Sequence, residues 1–319
     1  MCDFTGSESW VVLSSIEQSI KRKIESVGTP LKDWDINIYR GVLTGYNEAF
    51  IISSEKRNEI LANCHDEEER KRTEELIRPI LRGRDIKRYG YEWAHIYLIS
   101  TFPARHYDID IYPAVKDYLL SFAYDYLMET GNEWVAEQYL AEYCRQKLEQ
   151  TGKEIIIKGR YVLDQQGHKE KSRKKTSNKW FETQDSISYW EDFMKPKIVW
   201  ARLMRMTRSD IDAFPRFCTV PEGFFTVDSL CFFSGRFLDY LLSVLNSDYA
   251  AYYFFNNVAT LDNGGFQMRQ QYVENIPIPP YHENEDPFTA FKFSQEERDY
   301  IIQYIERRKK EILDSSGAE

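Results

Sequence analysis

Two capping boxes bracket the sequence and limit what can lie between them. Ser14 with Glu17 opens one helix, and Ser294 with Glu297 opens another. In such a box the hydroxyl and the carboxylate each satisfy a backbone N–H that the first helical turn leaves orphaned. Behind the first box Ile16, Ile20 and Ile24 form one apolar stripe, which Gly28 and Pro30 stop. Behind the second, Ile301, Ile305 and Ile312 share a side. No single period and no internal repeat runs through the interior. The expected fold class is therefore α+β: a mixed β-sheet domain with helical insertions, flanked by long helices.

Within the interior, Trp34–Leu43 reads as a strand around Ile36, Ile38 and Val42. A glycine-bracketed turn, Gly41–Asn47, leads to a second short strand, Ala49–Ile52. Glu55–Ile77 reads as one charged helix whose acidic run, Asp66–Glu69, is a solvated face. His95–Ser100 is a strand. Pro113 opens a helix running to Met128, and Asn132 caps another that ends near Gly152. Ile155–Leu163 is strand-like, and Ile198–Trp200 is a short strand. Phe217–Thr219, Phe224–Val227 and Leu230–Phe233 read as a meander turning at Pro221-Glu222-Gly223. Arg236–Phe255 is a long apolar helix, Asn263-Gly264-Gly265 a turn, and Ile276–Pro280 a rigid extended exit.

With 42% hydrophobic and 29% charged residues, the chain is of the globular class. No run approaches the ~18 apolar residues of a membrane helix, and no secretion signal opens the sequence. Five cysteines, odd in number and without a C-x-x-C pair, fit reduced thiols in a cytoplasm. Five scattered histidines show no metal-ligand spacing.

Catalytic motifs are not found. The nearest string to the (Asn/Asp/Ser)-Pro-Pro-(Tyr/Phe) motif of adenine methyltransferases is Ile278-Pro279-Pro280-Tyr281. Its isoleucine cannot hydrogen-bond an exocyclic amine. No glycine-rich turn follows a strand as a cofactor fingerprint requires. Asp108 and Asp110 could share a strand face, but a solvated loop is the simpler reading. Neither a catalytic centre nor a metal is therefore expected on this chain, and no cofactor.

The net charge of −9 argues against a simple nucleic-acid binder, yet a phosphate feels local charge. Three segments are basic. Arg78–Arg88 sets Arg78, Arg82, Arg84, Lys87 and Arg88 against Asp85. Lys169–Lys179 sets Lys169, Lys171, Arg173, Lys174, Lys175 and Lys179 against Glu170. Lys195–Arg216 sets Lys195, Lys197, Arg202, Arg205, Arg208 and Arg216 against Asp210 and Asp212. Each alone is ordinarily a hydrated surface. Brought together they would form a phosphate-binding face. Arginine suits guanine edges, and asparagine or glutamine suits adenine, so Arg82, Arg84, Asn47 and Gln184 are candidate readers. Lys169–Lys179 is a candidate arm along the backbone, with Trp180 at its end.

Several strings now become informative together: Asp35–Phe50, Ile77–Tyr89 (IRPILRGRDIKRY), Tyr112–Leu119, Trp180–Ile198 (WFETQDSISYWEDFMKPKI), Leu241–Ser247 and Tyr272–Pro279. Over residues 10–315 they resemble the TaqI-like C-terminal specificity domain of type IIG/IIS restriction–modification enzymes. The resemblance implies reading of a short duplex sequence on behalf of a fused adenine methyltransferase and nuclease. Those parts would use S-adenosylmethionine and Mg²⁺. It also implies an excised piece of a longer polypeptide, in the cytoplasm of a bacterium, serving defence.

The expected layout is an N-terminal helix and linker (1–29), a recognition domain (30–280) and an acidic linker with a C-terminal helix (281–319). The recognition domain carries a helical insertion near 113–152 and a basic arm near 165–180. The expected DNA contacts are Thr44, Tyr46, Asn47, Arg82, Arg84, Lys87, Arg88, Arg173, Lys174, Lys175, Gln184, Lys195, Lys197 and Arg202. The expected partners are double-stranded DNA and the parent's methyltransferase and nuclease domains, with no membrane. The alternatives are a type I-like specificity subunit that docks separate catalytic chains, and a protein-interaction module without a DNA role.

Overall fold

A computed structural model describes residues 13–158, 161–163, 169–171, 176–261, 265–282 and 285–315. The fold is α+β, built around two four-stranded sheets. In the first sheet the order is Phe217–Val220, Lys197–Ala201, Leu230–Gly235, Ile36–Arg40, with every neighbour antiparallel. Its two central strands are buried on both faces, which is why Ile198-Val199-Trp200 and Leu230–Phe233 read as continuous apolar runs without alternation. In the second sheet the order is Phe225–Thr226, Ile77–Leu81, Ile96–Ile99, Ile51–Ser53. Its first pair is parallel and the other two are antiparallel.

Aromatic rings fill the space between the sheets. Phe193 lies 4.1 Å from Phe225 of the second sheet and 4.6 Å from Phe232 of the first, centroid to centroid. The indole of buried Trp200 donates to the Met268 carbonyl at 2.8 Å, which removes the cost of burying its N–H.

Both capping boxes form. Ser14 N–H donates to Glu17 at 2.7 Å at the head of the Ser15–Val27 helix. Ser294 N–H donates to Glu297 at 2.6 Å at the head of the Gln295–Ser315 helix. The two helices lie against each other: Glu297 also takes bonds from Lys23 at 2.6 Å and Ser19 at 2.7 Å, and Tyr300 donates to Glu17 at 2.6 Å. Beside them Thr29–Pro30 pairs antiparallel with Pro277–Ile278, so the rigid proline segment closes onto the chain's entry.

Several expected elements differ. The 55–77 helix is two, Ser54–Ala62 and Glu67–Leu76, because Asp66 caps the second by accepting from Glu69 N–H at 2.7 Å. Glu69 is not on a solvated face: it is 2% exposed and accepts backbone N–H groups from His65 and Ala114 at 2.7 and 2.9 Å. Ala49–Ile52 is a helical turn, Asn47–Phe50, followed by the strand Ile51–Ser53. The Trp34–Leu43 strand is confined to Ile36–Arg40.

The 113–128 helix breaks into Pro113–Leu120 and Tyr124–Glu129, while Glu133–Thr151 ends at Gly152 as expected. Ile155–Leu163 is a hairpin of Ile156–Lys158 and Tyr161–Leu163, with Lys169–Lys171 as a third strand within the basic stretch. Arg236–Phe255 divides into Leu238–Leu245 and Asp248–Asn257, where Ser247 caps the second helix. Phe217–Phe233 is not a meander. Phe225–Thr226 leaves for the second sheet, and the flanking strands both pair with Lys197–Ala201.

Candidate nucleic-acid interface

The two sheets are joined at one end by backbone bonds. Val42 and Val227 form a parallel bridge between them. Val42 N–H donates to Thr226 at 2.7 Å, Asp228 N–H to Val42 at 2.9 Å, and Val227 N–H to Leu81 at 3.0 Å. Gly41 N–H reaches Leu230 at 2.9 Å, and Arg202 N–H reaches Ser229 at 2.9 Å. Gly41 is required here, since a Cβ would stand 2.1 Å from the Val227 oxygen. The junction thus collects the chain leaving four strands, after Arg40, Leu81, Ala201 and Thr226, and the chain entering a fifth at Leu230.

A second set of bonds adds the 43–47 turn and the 183–185 segment. Gln184 N–H donates to Thr44 at 2.9 Å, and Asp185 N–H to Leu43 at 3.0 Å. Asp185 Oδ2 accepts Leu43 N–H at 2.9 Å and Arg40 Nη2 at 3.0 Å. Gly45 has φ +79 and packs so closely that a Cβ would meet Gln184 Cβ at 2.8 Å. Thr44 is buried and donates to Asn47 Oδ1 at 2.5 Å, which leaves the exposed Asn47 amide held from below. Tyr46 packs edge-on against Phe122 at 5.7 Å, and burial together with Glu48 raises its phenol pKa.

Of the expected contacts, the structure therefore brings Thr44, Tyr46, Asn47, Arg82, Arg84, Gln184 and Arg202 to one end of the paired sheets. Their guanidinium groups differ in state. Arg82 gives Nη2 and Nε to the two oxygens of buried Asp85, at 2.9 and 3.2 Å, so this pair braces the Gly83–Asp85 turn. Arg202 gives Nη1 to the Asp228 carbonyl at 2.8 Å. Arg84, at the tip of the turn, is exposed, and among the described residues no acceptor holds it.

Other expected contacts lie elsewhere. Lys197 stands in the core with no exposed surface, its ammonium donating to the Pro221 carbonyl at 3.0 Å, so it is corrected from DNA contact to core residue. Burial pushes its pKa down to about 8, against the pull of the Glu222 carboxylate. Lys195 is half-exposed and bonded to Asp192 at 2.9 Å. Both lie at the far end of the Lys197–Ala201 strand from Arg202, about 17 Å at the rise of a β-strand. The expected stretch Lys195–Arg202 is thus not one face.

Arg88 turns inward, giving Nη1 to the Asp212 carbonyl at 2.9 Å and Nη2 to the Asn246 carbonyl. Lys87 is exposed beside Glu92 at 3.3 Å. Arg173, Lys174 and Lys175 lie outside the described residues. Trp180 stacks on Tyr126 at 5.0 Å, which ties the end of the basic stretch to the helical insertion.

Arg40 and Asp185 belong to the site and were missed. Arg40 lies outside the three basic segments, and Asp185 is 145 positions away from it. The available local signal was Gly41, whose lack of a side chain announces a close backbone approach directly after Arg40.

Residues 151–278 match the family model of the TaqI-like C-terminal specificity domain. The matched segment does not close its own sheets: Leu230–Gly235 pairs with Ile36–Arg40, and Phe225–Thr226 with Ile77–Leu81. No curated protein matches the sequence. Among solved structures, the type IIG restriction endonuclease BpuSI is similar at 14% identity and a TM-score of 0.41. That likeness covers 92% of this chain and 28% of that one. The type IIL restriction-modification enzyme MmeI, in complex with DNA, is similar at 11% identity and a TM-score of 0.43, over 91% of this chain and 34% of that one. The chain thus spans about a third of the length of these proteins or less.

Among the described residues no helix is long and apolar enough to cross a membrane, and no group of three or more His, Cys, Asp or Glu side chains is placed to hold a metal ion.

Proposed function

We propose that this chain, which carries a TaqI-like C-terminal specificity domain in residues 151–278, reads a short sequence in double-stranded DNA. In this reading it directs a restriction–modification methyltransferase and endonuclease to that site. The observation that carries the proposal is the convergence at the sheet junction. Four arginines (Arg40, Arg82, Arg84 and Arg202) and the exposed Asn47 amide, from segments as far apart as residues 40 and 202, meet at one end of the paired sheets. Phosphate contacts would set affinity and register, and forked or amide side chains at groove edges would set sequence. Adenine methylation with S-adenosylmethionine, and Mg²⁺-dependent cleavage, would be supplied by other parts of the parent enzyme.

The test is titration of the chain with duplex oligonucleotides at increasing salt. Binding whose log affinity falls linearly with log salt, and which drops on Arg84→Glu, supports the proposal. Absence of duplex binding, or affinity indifferent to salt and to Arg84→Glu, overturns it and favours a protein-interaction module.

A further inference from the structure

We propose that Arg40, oriented by Asp185, is a specificity-determining residue that reads a guanine edge in the major groove; the inference rests on the duplex-recognition reading above. The arginines at the junction are distinguished by how much of each guanidinium the protein consumes. Arg82 spends Nε and Nη2 on both oxygens of Asp85 and keeps little fork to offer. Arg40 spends only Nη2, on Asp185 Oδ2 at 3.0 Å, and its side chain is 47% exposed while that of Asp185 is 18% exposed. Among the described residues no second acceptor takes the remaining N–H groups of Arg40.

The carboxylate that holds Arg40 is itself fixed. The same Oδ2 accepts Leu43 N–H at 2.9 Å, and Asp185 N–H returns to the Leu43 carbonyl at 3.0 Å. Behind Arg40, Gly41 is pressed against the Val227 carbonyl, which leaves that backbone no room to shift. A phosphate contact needs charge and tolerates loose placement. The Asp185 carboxylate offsets the charge of Arg40, so the pair adds little to phosphate attraction. What the pair does provide is orientation, and reading a base requires a group held to within about 0.5 Å. A planar fork with free N–H groups matches O6 and N7 of guanine. The neighbouring exposed Asn47 amide is the complementary type for adenine, whereas the amide oxygen of Gln184 is buried.

The experiment is selection from a randomised duplex library by the full chain, as wild type, Arg40→Ala, Arg40→Lys and Asp185→Asn. Affinity for the selected duplex and for an unrelated duplex is then measured against salt, with thermal midpoints recorded for each variant. Arg40→Ala is expected to lower affinity for the selected duplex by about 10- to 100-fold and to erase guanine preference at one position. Unrelated-duplex affinity and salt slope should be unchanged. Arg40→Lys should not restore the preference, because lysine has no fork. Asp185→Asn should relax the same position and no other. Equal loss on both duplexes with a shallower salt slope would make Arg40 a phosphate contact and overturn the inference, as would a preference unchanged in Arg40→Ala. A wild type that binds duplex without any preference also overturns it. A wild type that binds no duplex removes the recognition reading itself.

Discussion

The side-chain amide of Asn246 is bonded to both backbone groups of Phe217: Oδ1 accepts Phe217 N–H at 2.9 Å, and Nδ2 donates to the Phe217 carbonyl at 2.9 Å. Asn246 has no exposed surface and sits between two helices, so it acts as an extra rung on the outer edge of the first sheet. Asn246→Leu leaves the buried Phe217 N–H without a partner, while the Phe217 carbonyl keeps its bond from Tyr89 N–H at 2.9 Å, and should cost on the order of 2 kcal/mol, read from urea unfolding. Asn246→Asp can mimic the amide only while its carboxyl is protonated; ionised, it buries a charge against the Phe217 carbonyl, so its deficit relative to wild type should grow as pH rises.

Lys197 gives a stability effect of known sign. Its pKa is lowered to about 8 in the folded chain against 10.5 when exposed. Between those values the unfolded chain binds more protons, so stability rises with pH; below about pH 8 the cost of burying the charge is fully present. Lys197→Met should therefore stabilise the protein at pH 7 by on the order of 2 kcal/mol, after allowing for the lost bond to the Pro221 carbonyl. The gain should shrink as pH climbs from 8 towards 10.5. Thermal midpoints of both proteins across that range check the sign, and a gain that grew with pH would contradict it.

The local signals in the sequence were the faithful ones. Both serine–glutamate boxes form where their spacing places them, and Gly152 ends its helix with φ +66. Asp66 and Glu69 show where local reading stops. Asp66 is a cap legible from sequence, but beside three glutamates it read as one more solvated charge. The role of Glu69 depends on Ala114, a partner 45 positions away. The candidate site follows the same rule. The 44–47 turn and the Arg82–Arg84 segment are visible as glycine-bracketed and basic strings, whereas Arg40, Asp185 and the burial of Lys197 exist only once four strands are ordered into a sheet.

Glu297 joins the terminal helices and should make their docking sensitive to acid. Burial pushes its carboxyl pKa up, but bonds from Lys23, Ser294 N–H and Ser19 outweigh that and hold it below the ordinary 4.5. A depressed carboxyl contributes stability above its unfolded pKa and loses it as pH falls through the folded value. Glu297→Gln should cost on the order of 1 kcal/mol at pH 7, because it removes the charge pairing with Lys23, whose ammonium keeps its bond to the Lys292 carbonyl at 2.9 Å. The gap between variant and wild-type thermal midpoints should close as the pH is taken from 5 to below 4.

Arg84 is the counterpart of Arg40 at the same junction, and the two should separate in one measurement. Arg84 is exposed and keeps its full charge, with no carboxylate among the described residues to orient it. A long, unclamped cation suits a phosphate better than a base edge, because attraction to phosphate tolerates rotation of the side chain. The bidentate Arg82–Asp85 brace beneath it fixes where the turn presents that charge. Arg84→Ala should therefore weaken binding by a similar factor on every duplex. It should also reduce the slope of log affinity against log salt by about 1, leaving the selected sequence unchanged. Arg82→Ala should lower the thermal midpoint as well, since it leaves buried Asp85 without its guanidinium partner. A change of preferred base on Arg84→Ala would reassign it from anchor to reader.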